Sequence, residues 1–317
     1  MTEADCFAAG TLIATPYGQV PVEQVGVGDL VRLARGGAAA VIWHGIREVD
    51  CAAHPRPHDI APVRIGAGAF APEVPLHDLV LSPDHAVLWD DVLIPVRLLV
   101  NGRTVWREPA GVVTYHHLEL ATHDVILAEG VAAESYLDTG NRAQFAGTAP
   151  PDFAAGRGGD GHGDGGCAPW ITGGGAVAAV RARVLARAAA LGHGLTDDPA
   201  LGFRLGGRVV AARVDGQRYT MRVPPRGTTV QLVSRSAVPA QVFAANGDHR
   251  RLGVAIGNIS LAGVAIALDD PRLAAGWHGV ENGAWRWTDG DAALRLASGG
   301  NLTVELLFGT RYWDVPV

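Results

Sequence analysis

The sequence predicts an all-β protein, in which two β domains are joined by a glycine-rich linker and one helix. Three observations lead to this prediction. Short segments of β-type composition, separated by Gly, Pro and Asp, occupy both halves of the chain. The run 154–166 is too rich in glycine to hold one conformation and is typical of a linker. Residues 176–191 are rich in Ala, Leu and Arg, which favours a helix directly after that linker.

The first half is expected to be built from short strands, because apolar and β-branched residues cluster in groups of about four. These groups are residues 11–14, 19–22, 30–33, 40–43, 63–65, 79–81, 86–89 and 117–120. Residues 26–29 and 100–103 carry turn chemistry between them.

The second half begins with the helix, for which Gly192 is the expected C-terminal cap. Residues 208–214 and 217–223 then predict a hairpin, with Asp215 and Gly216 at its turn. Further strands are expected at residues 229–233, 263–268, 292–296 and 302–308. Regularly spaced strands with turn residues between them are typical of a β-sandwich.

Composition excludes several classes of function. The 317 residues carry a net charge of −6, which argues against a general nucleic-acid or anionic-membrane binder. All 26 basic residues are arginine, so lysine-based Schiff-base and P-loop chemistry is excluded. No window approaches 18 uninterrupted apolar residues, so no membrane span is expected. Residues 1–5 do not resemble a signal peptide, and the compartment is not indicated.

Charge divides the chain near residue 140. Residues 1–140 hold 8 Arg against 18 acidic residues, and residues 141–317 hold 18 Arg against 14. Histidine follows the same division, since 8 of the 12 lie in the first part. We therefore expect a short flank at 1–5, a first domain at 6–140, a linker at 141–170, and a helix plus β-sandwich at 171–317.

The stretch that begins at Cys6 is the most informative one. Residues 6–18 read Cys-Phe-Ala-Ala-Gly-Thr-Leu-Ile-Ala-Thr-Pro-Tyr-Gly, and residues 22–31 read Val-Glu-Gln-Val-Gly-Val-Gly-Asp-Leu-Val. This pattern resembles the opening of Hint domains, the autoprocessing module shared by inteins and hedgehog proteins. Residues 81–88 are similar to the family's Thr/Ser-x-x-His motif, with Ser82 and His85 at the motif positions. Residues 113–120 and 123–130 resemble a late strand pair of inteins, and the whole resemblance covers about 6–140, closest to bacterial Hint proteins.

The resemblance implies a curved, horseshoe-like β domain and a single-turnover reaction in cis, without a cofactor or metal. Cys6 would be the nucleophile, because thiolate is the most reactive protein nucleophile at neutral pH. It would attack the carbonyl of the Asp5–Cys6 bond and form a thioester, so that the chain's own N-terminal segment is the substrate. His85 would protonate the leaving nitrogen, and Ser82 would orient the scissile amide.

The resemblance departs from splicing inteins at residues 133–135, which read Ala-Glu-Ser where inteins end in His-Asn. Splicing is therefore not expected, and water or another nucleophile would take the acyl group. His123 and Asp124 are the best candidates to activate that nucleophile, with His116 and His117 ranked behind them.

Two alternatives stay open. Cys51, His54 and His58, with His77, have a spacing that a metal could use, although prolines between the histidines favour no metal. Residues 276–281 and 285–288 hold Trp277, Trp285 and Trp287, which either fill the sandwich core, the favoured interpretation, or form a glycan-binding strip as in β modules of bacterial glycan-handling proteins. A catalytically inactive Hint scaffold with a glycan- or protein-binding C-terminal module is thus the alternative function.

Overall fold

The computed structural model describes residues 6–55, 57–109, 111–138, 142, 146–147 and 166–315. The flank 1–5 and most of the predicted linker 141–170 lie outside these ranges, so the expectations for them stay predictions. The chain divides into two compact units, Met1–Leu191 and Gly192–Val317. Both are built mainly from antiparallel strands, which confirms the predicted all-β class.

The N-terminal unit contains two sheets in its described part. The larger sheet has the order β10-β6-β7-β1-β11-β5-β14, with β4 paired to β5, and the smaller has the order β3-β2-β12-β13-β8-β9. The strands are β1 (Phe7–Ala8), β2 (Leu12–Thr15), β3 (Gly18–Pro21), β4 (Leu30–Arg32), β5 (Ala38–Asp50), β6 (Val63–Ile65), β7 (Leu79–Leu81), β8 (Ala86–Trp89), β9 (Val92–Pro95), β10 (Val105–Arg107), β11 (Val112–Leu120), β12 (Val125–Ala128), β13 (Val131–Glu134) and β14 (Ala146–Gly147). A short helix α1 (Pro57–Ile60) precedes β6.

The long strands β5 and β11 form the frame of this unit. They pair antiparallel from Val112 opposite Asp50 to Leu120 opposite Val41, with an irregularity next to Glu119. Buried aliphatic side chains from both sheets, such as Ile13 and Leu118, form one continuous core. Burial of this apolar surface is the main contribution to the stability of the unit.

Helix α2 (Gly174–Ala190) belongs to the N-terminal unit, which corrects the expected grouping of this helix with the C-terminal sandwich. Val177, Val180 and Val184 lie at helical spacing and are buried in the N-terminal core. The helix ends at Ala190, Leu191 follows as the C-cap residue, and Gly192 has a φ of 92°, the left-handed conformation common just after a helix. The glycine after the helix end was predicted correctly, but composition alone does not show which core a helix covers.

The C-terminal unit is a β-sandwich in its described part. One sheet has the order β17-β16-β20-β25 and the other β18-β19-β26-β21-β24-β23, with β22 paired to β21; β15 pairs with β27. The strands are β15 (Leu195–Thr196), β16 (Gly202–Leu205), β17 (Arg208–Val210), β18 (Arg213–Asp215), β19 (Arg218–Val223), β20 (Thr228–Val233), β21 (Val254–Leu261), β22 (Val264–Ile266), β23 (Trp277–Glu281), β24 (Trp285–Thr288), β25 (Asp291–Leu296), β26 (Gly300–Gly309) and β27 (Tyr312–Trp313), and a short helix α3 spans Pro239–Val242. Side chains from both sheets, among them Phe203 and Val304, share one core.

The predicted strand 208–214 is divided between the two sheets, which corrects the expectation of one continuous strand. β17 pairs with β16 in one sheet, whereas β18 pairs with β19 in the other. The chain therefore changes sheets between Val210 and Arg213. The β18–β19 hairpin itself was predicted, and Asp215 lies opposite Arg218 across its turn.

Trp277, Trp285 and Trp287 contact other residues of the C-terminal unit. Trp287 is buried, and its ring packs edge-on against Phe308, as does the ring of Trp285. Trp277 packs against the sandwich core and donates its indole N–H to the carbonyl of Ala293 at 2.9 Å. These contacts agree with the core interpretation, and the glycan-binding strip stays a prediction. In the part of the chain that the structure describes, no helix has the length and apolar character needed to cross a membrane.

Candidate functional site

Strand β1 places Cys6 at the centre of the larger sheet. Phe7 lies opposite Leu81 of β7 on one side and opposite His116 of β11 on the other. Because side chains alternate along a strand, Phe7 enters the main core while Cys6 and Ala8 point to the opposite face. The short β-type sequence after Cys6 thus fixes the cysteine backbone between two neighbouring strands.

Cys6 faces a histidine across the β1–β11 pair. The register of Phe7 with His116 and of Ala8 with Tyr115 sets Cys6 opposite His117 when it is extended by one residue. The Sγ atom of Cys6 lies 3.1 Å from Nε2 of His117. Cys6 is 5% exposed and His117 is fully buried, so this thiol–imidazole contact is shielded from bulk water.

Ser82 holds the backbone of Cys6 from the other side. The N–H of Cys6 donates to Oγ of Ser82 at 3.0 Å, and the N–H of Ser82 donates to the carbonyl of Cys6 at 3.0 Å. Ser82 follows β7 directly and is buried. The hydroxyl therefore contacts the nitrogen of the peptide bond that precedes Cys6, which is the atom that leaves when this bond is cleaved.

A tight turn after Ser82 places His85 beside the Cys6 backbone. The N–H of His85 donates to the carbonyl of Ser82 at 3.2 Å, and Pro83 occupies the second turn position that proline favours. The ring packs edge-on against Phe7, with 4.4 Å between ring centroids. Burial lowers the pKa of His85 to about 4, although backbone interactions with Cys6 and Glu134 partly oppose this shift. Cys6, Ser82 and His85 are thus brought together.

An aromatic group surrounds His117. The Tyr136 ring lies edge-on to the His117 ring at 5.4 Å and contacts the Trp43 ring at 5.0 Å. Gly45 leaves room for this arrangement, because a Cβ atom there would lie 2.1 Å from the Trp43 ring. Burial raises the pKa of the Tyr136 hydroxyl, so Tyr136 remains neutral and packs as an aromatic residue.

Residues 5–140 match the family model described as "Hint domain". Residues 5–140 form a Hint domain. This result confirms the predicted resemblance of the N-terminal part to the Hint domains of inteins and hedgehog proteins. The match covers the strands that form the cysteine site and ends before helix α2.

Solved intein structures are also similar to the Hint domain. "Crystal structure of MchDnaB-1 intein" has 15% identity and a TM-score of 0.29, and the match covers 41% of this chain and 98% of that one. "Crystal structure of Msm DnaB1 intein splicing domain bound with zinc" has 17% identity and a TM-score of 0.29, with 41% and 98% covered. No curated protein matches the chain.

His123 lies in a buried part of the Hint domain beside Glu134. Its Nδ1 accepts the backbone N–H of Cys167 at 3.1 Å, and its Nε2 lies 3.7 Å from Oε2 of Glu134. His123 is also close enough to His85 to contribute to the lowered pKa of His85. Asp124 accepts the N–H of Val125 at 2.7 Å. These contacts do not test whether His123 or Asp124 activates a second nucleophile, and that role stays a prediction.

Sequence reasoning ranked His117 low and assigned no role to Glu134. His117 could have been found only from strand register, because its neighbour His116 has the same composition signal. His116 instead pairs with His44, with 2.9 Å between Nδ1 of His116 and Nε2 of His44, and burial lowers the pKa of both rings. Glu134 is fully buried at the end of β13, and no signal in its composition distinguishes it from a solvated strand residue.

Cys51, His54 and His58 have a sequence spacing that a metal site could use. Cys51 is buried, with its sulfur 3.9 Å from the carbonyl of Ile60. The side chain of His58 lies outside the described part of the chain. Among the residues that the structure describes, no three His, Cys, Asp or Glu residues are placed to hold a metal ion.

Proposed function

We propose that the Hint domain cleaves its own chain at the Asp5–Cys6 bond by cysteine acyl transfer. The observation that supports this proposal most strongly is the 3.1 Å contact between Cys6 Sγ and His117 Nε2. It joins the residue that precedes β1 to a buried imidazole, and a base within hydrogen-bond reach is what activates a thiol.

The first step forms a thioester. His117 Nε2 takes the thiol proton, and the sulfur attacks the carbonyl carbon of Asp5. A C–S bond forms as the C–N bond to Cys6 breaks. Attack by a neighbouring sulfur is favoured by proximity, because nucleophile and carbonyl belong to adjacent residues.

The leaving nitrogen of Cys6 needs a proton. Ser82 Oγ accepts the Cys6 N–H at 3.0 Å and so fixes the direction of this nitrogen. His85 lies beside the Cys6 backbone, and its lowered pKa means that the ring is neutral near pH 7. In this proposal the thiol proton taken up by His117 is relayed to His85 as the tetrahedral intermediate forms, so His117 returns to its neutral form. His85 then delivers that proton to the nitrogen, which becomes far more basic once amide resonance is lost.

The second step releases the acyl group. Water adds to the thioester, which gives the carboxylate of Asp5 and returns the thiol of Cys6. We assign activation of this water to His123 or Asp124. For His123, the contact between its Nδ1 and the N–H of Cys167 would have to open, because that nitrogen already accepts a hydrogen bond.

Intact mass spectrometry of the purified full chain tests the proposal. The parent protein is expected to lose residues 1–5 during incubation with dithiothreitol or hydroxylamine, whereas Cys6→Ala retains them. Cys51→Ala is the matched control, because Cys51 is also buried but is not opposed by His117, and it should cleave like the parent. If the parent retains residues 1–5 for hours with either nucleophile, the proposal fails and the inactive-scaffold alternative stands.

A further inference from the structure

Glu134 connects the two buried histidines of the Hint domain. Glu134 is fully buried at the end of β13. Its two carboxylate oxygens and its backbone carbonyl oxygen all face groups of the site. Oε1 accepts the backbone N–H of Ala86, the residue after His85, at 2.7 Å. A buried carboxylate is costly unless its oxygens are paired, so a site that keeps one uses it for positioning or chemistry.

The backbone carbonyl of Glu134 determines which nitrogen of His85 carries the proton. His85 Nε2 lies 3.1 Å from this carbonyl oxygen, which can only accept a hydrogen bond. This 3.1 Å contact therefore favours the neutral ring with its proton on Nε2. Its Nδ1 is then the proton-accepting atom, and the ring lies beside the backbone of Cys6.

The carboxylate of Glu134 faces His123 at ion-pair distance, which is longer than the hydrogen bond to His85. His123 Nδ1 accepts the N–H of Cys167 at 3.1 Å, so this nitrogen carries no proton. The proton of the neutral ring is on Nε2, which lies 3.7 Å from Glu134 Oε2. Cys167 is outside the family match, so the segment that leads into helix α2 completes a contact of the Hint domain.

We propose that Glu134 is a positioning residue that fixes both His85 and His123 as the Nε2–H tautomer. Its carbonyl acts on His85 and its carboxylate acts on His123, while Oε1 holds the backbone beside His85. The consequence for catalysis rests on the proposed function: His85 Nδ1 is then the atom that takes up the proton and passes it to the Cys6 nitrogen.

The change Glu134→Gln tests the tautomers without requiring cleavage. The amide oxygen of Gln can still accept the Ala86 N–H, but its NH₂ group then faces the Nε2–H of His123. Two donors cannot pair, so His123 should move its proton to Nδ1 and lose the contact with Cys167. The backbone carbonyl is unchanged, and His85 should remain protonated at Nε2.

Nitrogen-15 NMR of the imidazole rings at pH 7 is the measurement, made on the full chain in a Cys6→Ala background. We expect Nε2–H for both rings in this parent, and Nδ1–H for His123 alone in the Gln variant. Glu129→Gln is the matched control, because Glu129 is also buried and lies at the other end of the β12–β13 hairpin. It should leave both rings unchanged.

Two outcomes would overturn the inference: a parent in which either ring is protonated at Nδ1, or a Gln variant in which His123 keeps Nε2–H. Cleavage is measured separately in the Cys6-containing proteins, where Glu134→Ala should slow the loss of residues 1–5 by about 10-fold, because the Ala86 N–H beside His85 loses its charged acceptor. If the tautomers are as stated but the parent never cleaves, the proposed function fails while the positioning role remains.

Discussion

The Sγ atom of Cys6 lies 3.1 Å from Nε2 of His117, although 111 residues separate them in the chain. The contact results from β1 and β11 being paired so that Phe7 lies opposite His116. A shift of this register by one residue would turn His117 to the other face of the sheet and place His116 toward the thiol. The strand pairing therefore selects which of two adjacent histidines meets Cys6.

His117→Ala should slow cleavage at the Asp5–Cys6 bond by about 10²-fold or more, because the thiol loses its proton acceptor. His116→Ala is the natural control: its ring belongs to the pair with His44 and points away from the thiol. The rates are read from the mass of the full chain over time, after circular dichroism has shown that both variants fold. Equal rates for His117→Ala and the parent would contradict the role of His117.

Ser82→Ala should reduce the cleavage rate by about 5-fold, since it removes one hydrogen bond to the scissile nitrogen, worth roughly 1 kcal/mol. The other bond between these residues, from the Ser82 N–H to the Cys6 carbonyl, uses the backbone and survives the change. Ser82→Thr keeps the hydroxyl and should retain most of the activity. A rate for Ser82→Ala that matches the parent would remove Ser82 from the mechanism.

Acid should destabilise the Hint domain through His85. The pKa of His85 is about 4 in the folded chain, below the ordinary value of 6.5. Between these values the unfolded chain binds more protons, so the free energy of unfolding falls as pH decreases from 6.5 to 4. This contribution is on the order of 3 kcal/mol. Urea titrations at pH 7 and pH 4 should show a smaller decrease for His85→Gln than for the parent, and equal decreases would contradict the buried neutral ring.

Val184→Ala should destabilise the Hint domain by about 2 kcal/mol, because Val184 is 1% exposed within the N-terminal core. Hydrogen exchange followed by mass spectrometry should show faster exchange in residues 86–95, where Arg183 of α2 contacts Trp89 and Asp90, and unchanged exchange in residues 228–233. Val264→Ala is the control, because Val264 is 71% exposed and its truncation should have little effect. Unchanged exchange in residues 86–95 would mean that α2 does not support this core.

The motif residues of the site could be predicted from the sequence, because each one acts within a short segment. Cys6 directly precedes a strand, and the turn from Ser82 to His85 is encoded locally by Pro83. The partners of those residues could not be predicted in the same way. His117 depends on the register of a strand pair more than 100 positions apart, and local composition carries no signal for register.

Glu134 and helix α2 show the same limit. A glutamate in a strand usually faces water, and only the packing of β13 against β8 and β12 shows that this one is buried. The amphipathic pattern of α2 predicts that the helix covers a core, but the sequence does not say which of two β domains supplies it. In both cases, residues distant in the sequence determine the position: they bury Glu134, and they supply the core that α2 covers.

Each contact described for Cys6 comes from residues that follow it in the chain, namely Ser82, His117 and the strands beside β1. Removal of the preceding residues would leave those contacts in place. The proposed product would therefore begin with a cysteine that carries a free α-amine next to its thiol. Such a 1,2-aminothiol condenses selectively with aldehydes and thioesters, so an aldehyde or thioester label would mark Cys6 in the processed protein once unfolding exposes this buried residue.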